Sequence, residues 1–95
     1  MKVEIKDKKL RNIFTKGDTK RAIKEYGFNR AKKLNQRFQE LNAAKNFQIL
    51  LDKKIGRCHS LKGKRSKQYA IDLDHPFRLI IQPVFNCINQ IRAEL

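Results

Sequence analysis

Acidic side chains are scarce in this chain. Asp and Glu total 9 against 23 Lys and Arg, a net charge of +14 over 95 residues. Such an imbalance costs self-repulsion in the compact state unless a polyanion relieves it, so the expected partner is nucleic acid. Long apolar runs are absent as well. No stretch approaches the ~18 apolar residues of a spanning helix, and the basic residues run through every segment, which argues against a membrane partner. The N-terminal MKVEIKDKKL has no apolar core of signal-peptide length, so a cytoplasmic location is expected. Cysteine is nearly missing. Cys58 and Cys87 have neither C-x-x-C spacing nor a matching pair of histidines, so no metal and no cofactor is expected, and both read as small buried apolar residues rather than a disulfide. Internal repeats and low-complexity segments are also lacking, and the length is that of one compact domain.

What is present begins with a 40% apolar share, enough for a real core, although so small a domain buries only roughly 60 to 65% of its unfolded surface. Val3 and Ile5 alternate with Glu4 and predict a short first strand. Asp7 then caps a turn carrying Leu10, Ile13 and Phe14 at helical spacing, ended by Gly17. Asp18 or Thr19 caps a second short helix with Ala22, Ile23 and Tyr26, stopped at Gly27. From Asn29 to about Lys45, Ala31, Leu34, Phe38 and Leu41 recur three and four apart, with Lys32, Lys33, Gln36, Arg37 and Glu40 assigned to the polar face. Phe47, Ile49, Leu50 and Leu51 predict one more helical turn.

The period then changes. Tyr69, Ile71 and Leu73 alternate with Ala70 and Asp72, and after the Asp74-His75-Pro76 turn a second strand runs from Phe77 to Gln82. This hairpin places Phe77, Leu79 and Ile81 on the face expected to be covered by helices, and Arg78 on the other with Ile80 and Gln82. Val84, Ile88, Ile91 and Leu95 have helical spacing, while Val84 to Ile88 alone also suits a strand, so both remain open for the tail. Helices preceding strands argue an α+β fold.

Chemistry concentrates between Cys58 and Tyr69, where His59, Lys62, Lys64, Arg65 and Lys67 precede a strand whose neighbour carries Arg78. RNA cleavage by 2′-hydroxyl attack needs a proton acceptor, cations for the phosphorane charge and a donor for the leaving 5′-oxygen, with no metal required. An imidazole exchanges protons near neutral pH, a guanidinium offers phosphate a bidentate fork and an ammonium a point charge. A single histidine beside a strand is nonetheless commonly structural, and a Lys/Arg run is commonly a solvated loop. Residue types and spacing therefore leave an enzyme and a non-catalytic RNA-binding or translation-regulating module both open. His75 is expected to hydrogen-bond locally in its turn, and Tyr69 to join the core.

The stretch His59-Ser60-Leu61-Lys62-Gly63-Lys64-Arg65, the alternating strand with Tyr69, and Phe77-Arg78-Leu79-Ile80 resemble the motifs of HigB-type plasmid-maintenance killer toxins of the RelE/ParE superfamily. Leu10-Arg11 with Ile13-Phe14, and the Leu34 to Ala44 helix, extend the resemblance almost to Pro83. It implies a RelE-like fold, N-terminal helices packed on a small twisted antiparallel β-sheet, in a single domain spanning residues 1–95. It also implies the toxin of a type II toxin-antitoxin system, a metal-independent endoribonuclease that cuts mRNA on the ribosome and is restrained by a cognate antitoxin. On the matching positions, His59 and Lys62 take proton transfer or phosphate positioning and Arg78 the transition-state charge, with Lys64, Arg65 and Lys67 holding the RNA backbone. Gyrase-inhibiting toxins share this fold, and the His59 and Lys62 pair argues against that reading. The family's closing strand ending in Asp-Tyr-His has no counterpart before Leu95, so either the chain is shortened and lacks that strand, the favoured reading, or the Val84 to Leu95 segment replaces it.

Overall fold

The computed structural model describes residues 1–61, 68–84 and 90–94, with backbone alone at 90, 91, 92 and 94. Strand β1 (Lys2–Ile5) leads into helices α1 (Lys8–Thr15), α2 (Thr19–Tyr26), α3 (Phe28–Ala43) and α4 (Phe47–Asp52), followed by a tight turn at Ile55–Arg57. Strands β2 (His59–Ser60), β3 (Tyr69–Asp72), β4 (Arg78–Pro83) and β5 (Gln90–Glu94) complete the order.

Each short helix starts where a side chain satisfies a free backbone donor. Asp7 accepts from the Leu10 amide at 3.1 Å, Asp18 from that of Arg21 at 3.0 Å and Asn46 from that of Ile49 at 3.2 Å. Gly27 joins α2 to α3 at φ 83°, a backbone conformation that a Cβ disfavours. The apolar stripe expected on α3 is present, because Ala31, Leu34, Phe38 and Leu41 are all buried. Arg37 departs from the expectation. It was assigned to the polar face, yet it lies three residues after Leu34 and four before Leu41, and it is buried with them.

The five strands form one sheet in the order β1-β5-β4-β3-β2. All neighbours are antiparallel except β1 and β5, which run parallel with Val3 opposite Ile91, so the sheet is mixed rather than wholly antiparallel. In the tail, Gln90–Glu94 forms β5, inserted between the first strand and the hairpin, whereas the strand considered from Val84 to Ile88 lies, beyond Val84, outside the described residues.

The core lies between the helices and one face of this sheet. Leu10, Leu34, Leu41, Leu50, Ile71, Leu79 and Ile81 are fully buried in one cluster, each worth roughly 1.5 to 3 kcal/mol relative to exposure. Tyr69 packs against it, edge-on to Phe47 with ring centroids 4.7 Å apart. Cys58 is buried in the same cluster, as expected, whereas Cys87 lies outside the described residues. Phe77 corrects the sequence reading. It precedes β4 rather than extending it, its backbone being part of the Asp74–Phe77 turn, and it is exposed with the Arg30 guanidinium 3.2 Å above its ring. Strand alternation does not hold within a turn, so only Leu79 and Ile81 point into the core.

Candidate functional site

The pairing of the hairpin decides which polar side chains share a surface. In β3 and β4, Asp72 stands opposite Arg78 and Ala70 opposite Ile80, while β2 sets His59 opposite Ala70. Paired residues and those two apart along a strand lie on the same side of a pleated sheet. His59, Asp72 and Arg78 therefore share the face opposite Ile71, Leu79 and Ile81, away from the helices. Ala70 and Ile80 are buried on that face, Asp72 is half-buried, and His59 and Arg78 are exposed. With strands ~4.8 Å apart and ~3.4 Å per residue, the Cα atoms of His59 and Arg78 are about 12 Å apart.

His59 has a defined orientation. Its Nδ1 lies 2.7 Å from the Arg57 carbonyl oxygen. A carbonyl only accepts, so Nδ1 carries the proton and donates. The lone pair of the neutral ring is then on Nε2, which is turned away from that bond and able to take a proton.

Arg57 belongs to an unusual stretch of backbone. Lys54, Gly56 and Arg57 have φ of 50°, 60° and 55°, so three of the last five residues before His59 are left-handed. The turn is fastened from three sides. The Arg57 Nε is 2.7 Å from an Asp72 carboxylate oxygen. The Asp72 carbonyl accepts from Arg37 Nε at 2.7 Å, and Arg37 Nη1 donates to Glu40, also at 2.7 Å. Gly56 rests on that same buried guanidinium, and a Cβ at this position would come within 3.0 Å of Arg37 Nε. Arg37 thus links α3, the end of β3 and the turn that delivers His59.

Because Arg57 takes the Asp72 carboxylate, Arg78 has no hydrogen-bond or ion-pair partner among the described residues. It is exposed on the same sheet face as the histidine, two strands away. Lys62, Lys64, Arg65 and Lys67, also expected at this site, lie outside the described residues. His75 is exposed at the hairpin turn, and among the described residues its ring makes no hydrogen bond, contrary to the local bond expected there. Among the described residues no group of three His, Cys, Asp or Glu could hold a metal, and no helix is long and apolar enough to cross a membrane.

Sequence reasoning singled out His59 and Arg78 but passed over Arg37, Arg57 and Asp72. Two of these carried a signal: Arg37 interrupts an apolar stripe, and Asp72 is the charged residue facing Arg78 once the hairpin is paired. Arg57 carried none, since its role depends on a left-handed backbone.

Elsewhere, α1, α2 and α3 enclose an apolar depression lined by Ile13, Phe14, Ala22, Ile23 and Phe28, of which Ile23 and Phe28 are exposed. These residues border a small helical cluster of Ile13, Ala22 and Ala31 rather than the sheet.

A strongly basic α+β protein with helices over one sheet face fits a RelE-like fold. Residues 3–93 match the family described as HigB-like toxin, the RelE-like toxin of the type II toxin-antitoxin system HigB. The chain belongs to this family. Comparison with curated proteins found no match. Membership of a type II system implies a cognate antitoxin as partner.

Proposed function

We propose that this toxin is a metal-independent endoribonuclease that cuts mRNA on the ribosome. The observation that supports it most is that one sheet face carries both a histidine whose Nε2 is available as acceptor and an exposed arginine that has no ion-pair partner among the described residues.

In this reading His59 Nε2 takes the proton of a ribose 2′-hydroxyl as its oxygen attacks the adjacent phosphorus. Arg78 stabilises the negative charge that builds on the non-bridging oxygens, an interaction worth most where charge develops. The bond from phosphorus to the 5′-oxygen breaks, and that oxygen leaves with a proton from the Lys62 ammonium or from solvent. The products are a 2′,3′-cyclic phosphate and a 5′-hydroxyl end. Lys64, Arg65 and Lys67 hold the RNA backbone, a sequence-independent contribution fitting the net charge of +14.

Primer extension on an mRNA incubated with ribosomes tests this, using the natural chain beside His59→Ala and Arg78→Ala. Defined cuts that disappear in both variants support the nuclease. Intact RNA that is still bound would instead favour a non-catalytic RNA-binding module.

A further inference from the structure

The geometry points to Arg57 as a positioning residue for His59: its carbonyl selects the Nδ1–H tautomer, and its ion pair with Asp72 keeps that carbonyl in place. The catalytic side of this inference rests on the ribonuclease reading, whereas its structural side does not.

A neutral histidine free in water favours the proton on Nε2, which leaves the lone pair on Nδ1. At His59 the 2.7 Å contact with the Arg57 carbonyl reverses that preference, because only a protonated Nδ1 can approach a carbonyl so closely. The second nitrogen of a histidine is set by the bond that the first one makes. Here that bond comes from backbone, so its geometry depends on the path of the chain at Arg57.

That path is disfavoured by itself. A residue with a side chain rarely adopts φ 55°, and such conformations persist only where the surroundings over-determine them. Two attachments do so here. The Arg57 amide donates to the Lys54 carbonyl at 3.0 Å, and its guanidinium reaches Asp72 at 2.7 Å. An exposed ion pair adds little to global stability. This one has a local task, because Asp72 is itself held by Arg37 and so offers a fixed anchor on the neighbouring strand. The half-buried Asp72 carboxylate thereby acts on the base through Arg57, without touching the imidazole in any recorded contact.

Nitrogen-15 spectra of the imidazole in the full chain, assigned by loss of the signal in His59→Gln, read the tautomer directly and require no RNA. The expected result for the natural chain at pH 8 is a protonated Nδ1 and an unprotonated Nε2. In Asp72→Asn and Arg57→Ala the ratio should move toward the mixture of a free histidine, and Arg57→Lys, which keeps a cation, should restore part of it. Backbone amide shifts of Ile71 and Leu79 report whether each variant retains its sheet. In the cleavage assay, Asp72→Asn should lower kcat by about tenfold to a hundredfold with KM within about twofold, a part of the ~10²–10⁴ that a positioned base contributes.

A majority of the Nε2–H tautomer in the natural chain overturns the inference. So does an unchanged tautomer in a folded Asp72→Asn or Arg57→Ala. If the natural chain shows the expected tautomer but cuts no RNA, the ribonuclease reading falls and the selection of the tautomer by Arg57 stands.

Discussion

Asp72 and Arg78 face each other across β3 and β4, yet the Asp72 carboxylate is paired with Arg57 on the other side. A direct cross-strand ion pair would have silenced the guanidinium. With Asp72 held by Arg57, Arg78 has no ion-pair partner among the described residues, while the negative charge fastens the turn before His59.

Replacing Arg78 with alanine should therefore separate catalysis from binding. Removal of one preorganised charge stabiliser costs on the order of 10²–10³ in kcat. Affinity for single-stranded RNA should weaken modestly, with the slope of log K against log salt falling by about 0.7, the share of one phosphate contact. Single-turnover cleavage and salt-titrated binding on the same variant measure both. Equal losses in the two would point to a binding role alone.

Arg37 should matter more for stability than any surface cation. Arg37→Leu removes the donor to the Asp72 carbonyl and the Glu40 partner, at a cost of about 1 to 3 kcal/mol for groups left unsatisfied. For a domain of this size the Tm should fall by several degrees or more. Thermal unfolding followed by circular dichroism reads it, and an unchanged Tm would show that solvent replaces both bonds.

Gly56→Ala should be destabilising for two reasons that act together: its φ is 60° and its new methyl would meet the Arg37 guanidinium. Left-handed backbone alone costs a non-glycine residue about 1 to 2 kcal/mol. Urea unfolding should show a lower midpoint with an unchanged slope. Because the turn carries Arg57, the same variant should also disturb the His59 tautomer.

Burial pushes the Cys58 thiol from its ordinary 9.0 up to about 11. At pH 8, in a Cys87→Ser background, its thiolate fraction and alkylation rate should be about a hundredfold below those of the unfolded chain. The linkage has a definite sign. The folded state holds its proton more tightly, so this contribution to stability is full below pH 9 and declines as pH rises from about 9 to about 11. Urea midpoints at pH 8 and pH 10.5 should differ less in Cys58→Ala than in the Cys58 parent. Fast alkylation of the native chain would show that the thiol is open to solvent.

Local patterns were legible wherever one element answers to its own residues. Caps at Asp7 and Asp18, the stripe from Ala31 to Leu41, and the hairpin that aims Arg78 away from Ile71 and Leu79 all follow from spacing and capping chemistry. The His59 and Arg78 candidates followed from residue type and motif resemblance. Phe77 escaped that logic because two-residue alternation ends where the chain turns, and Arg37 because its cation was read by charge rather than by its place on the helix.

Sequence by itself determined the strong positive charge, the succession of helices before the hairpin, and the imidazole and guanidinium offered for chemistry. Tertiary structure alone decided that the tail enters the sheet as β5 beside β1, since strand pairing depends on partners far apart in the chain. It also decided which of two arginines the Asp72 carboxylate pairs with. Arg57 and Arg78 are the same residue type, and only the fold distinguishes them, because it brings the Asp72 carboxylate within 2.7 Å of Arg57. A charge's role is set by its nearest counter-charge, and that distance is a property of the folded chain.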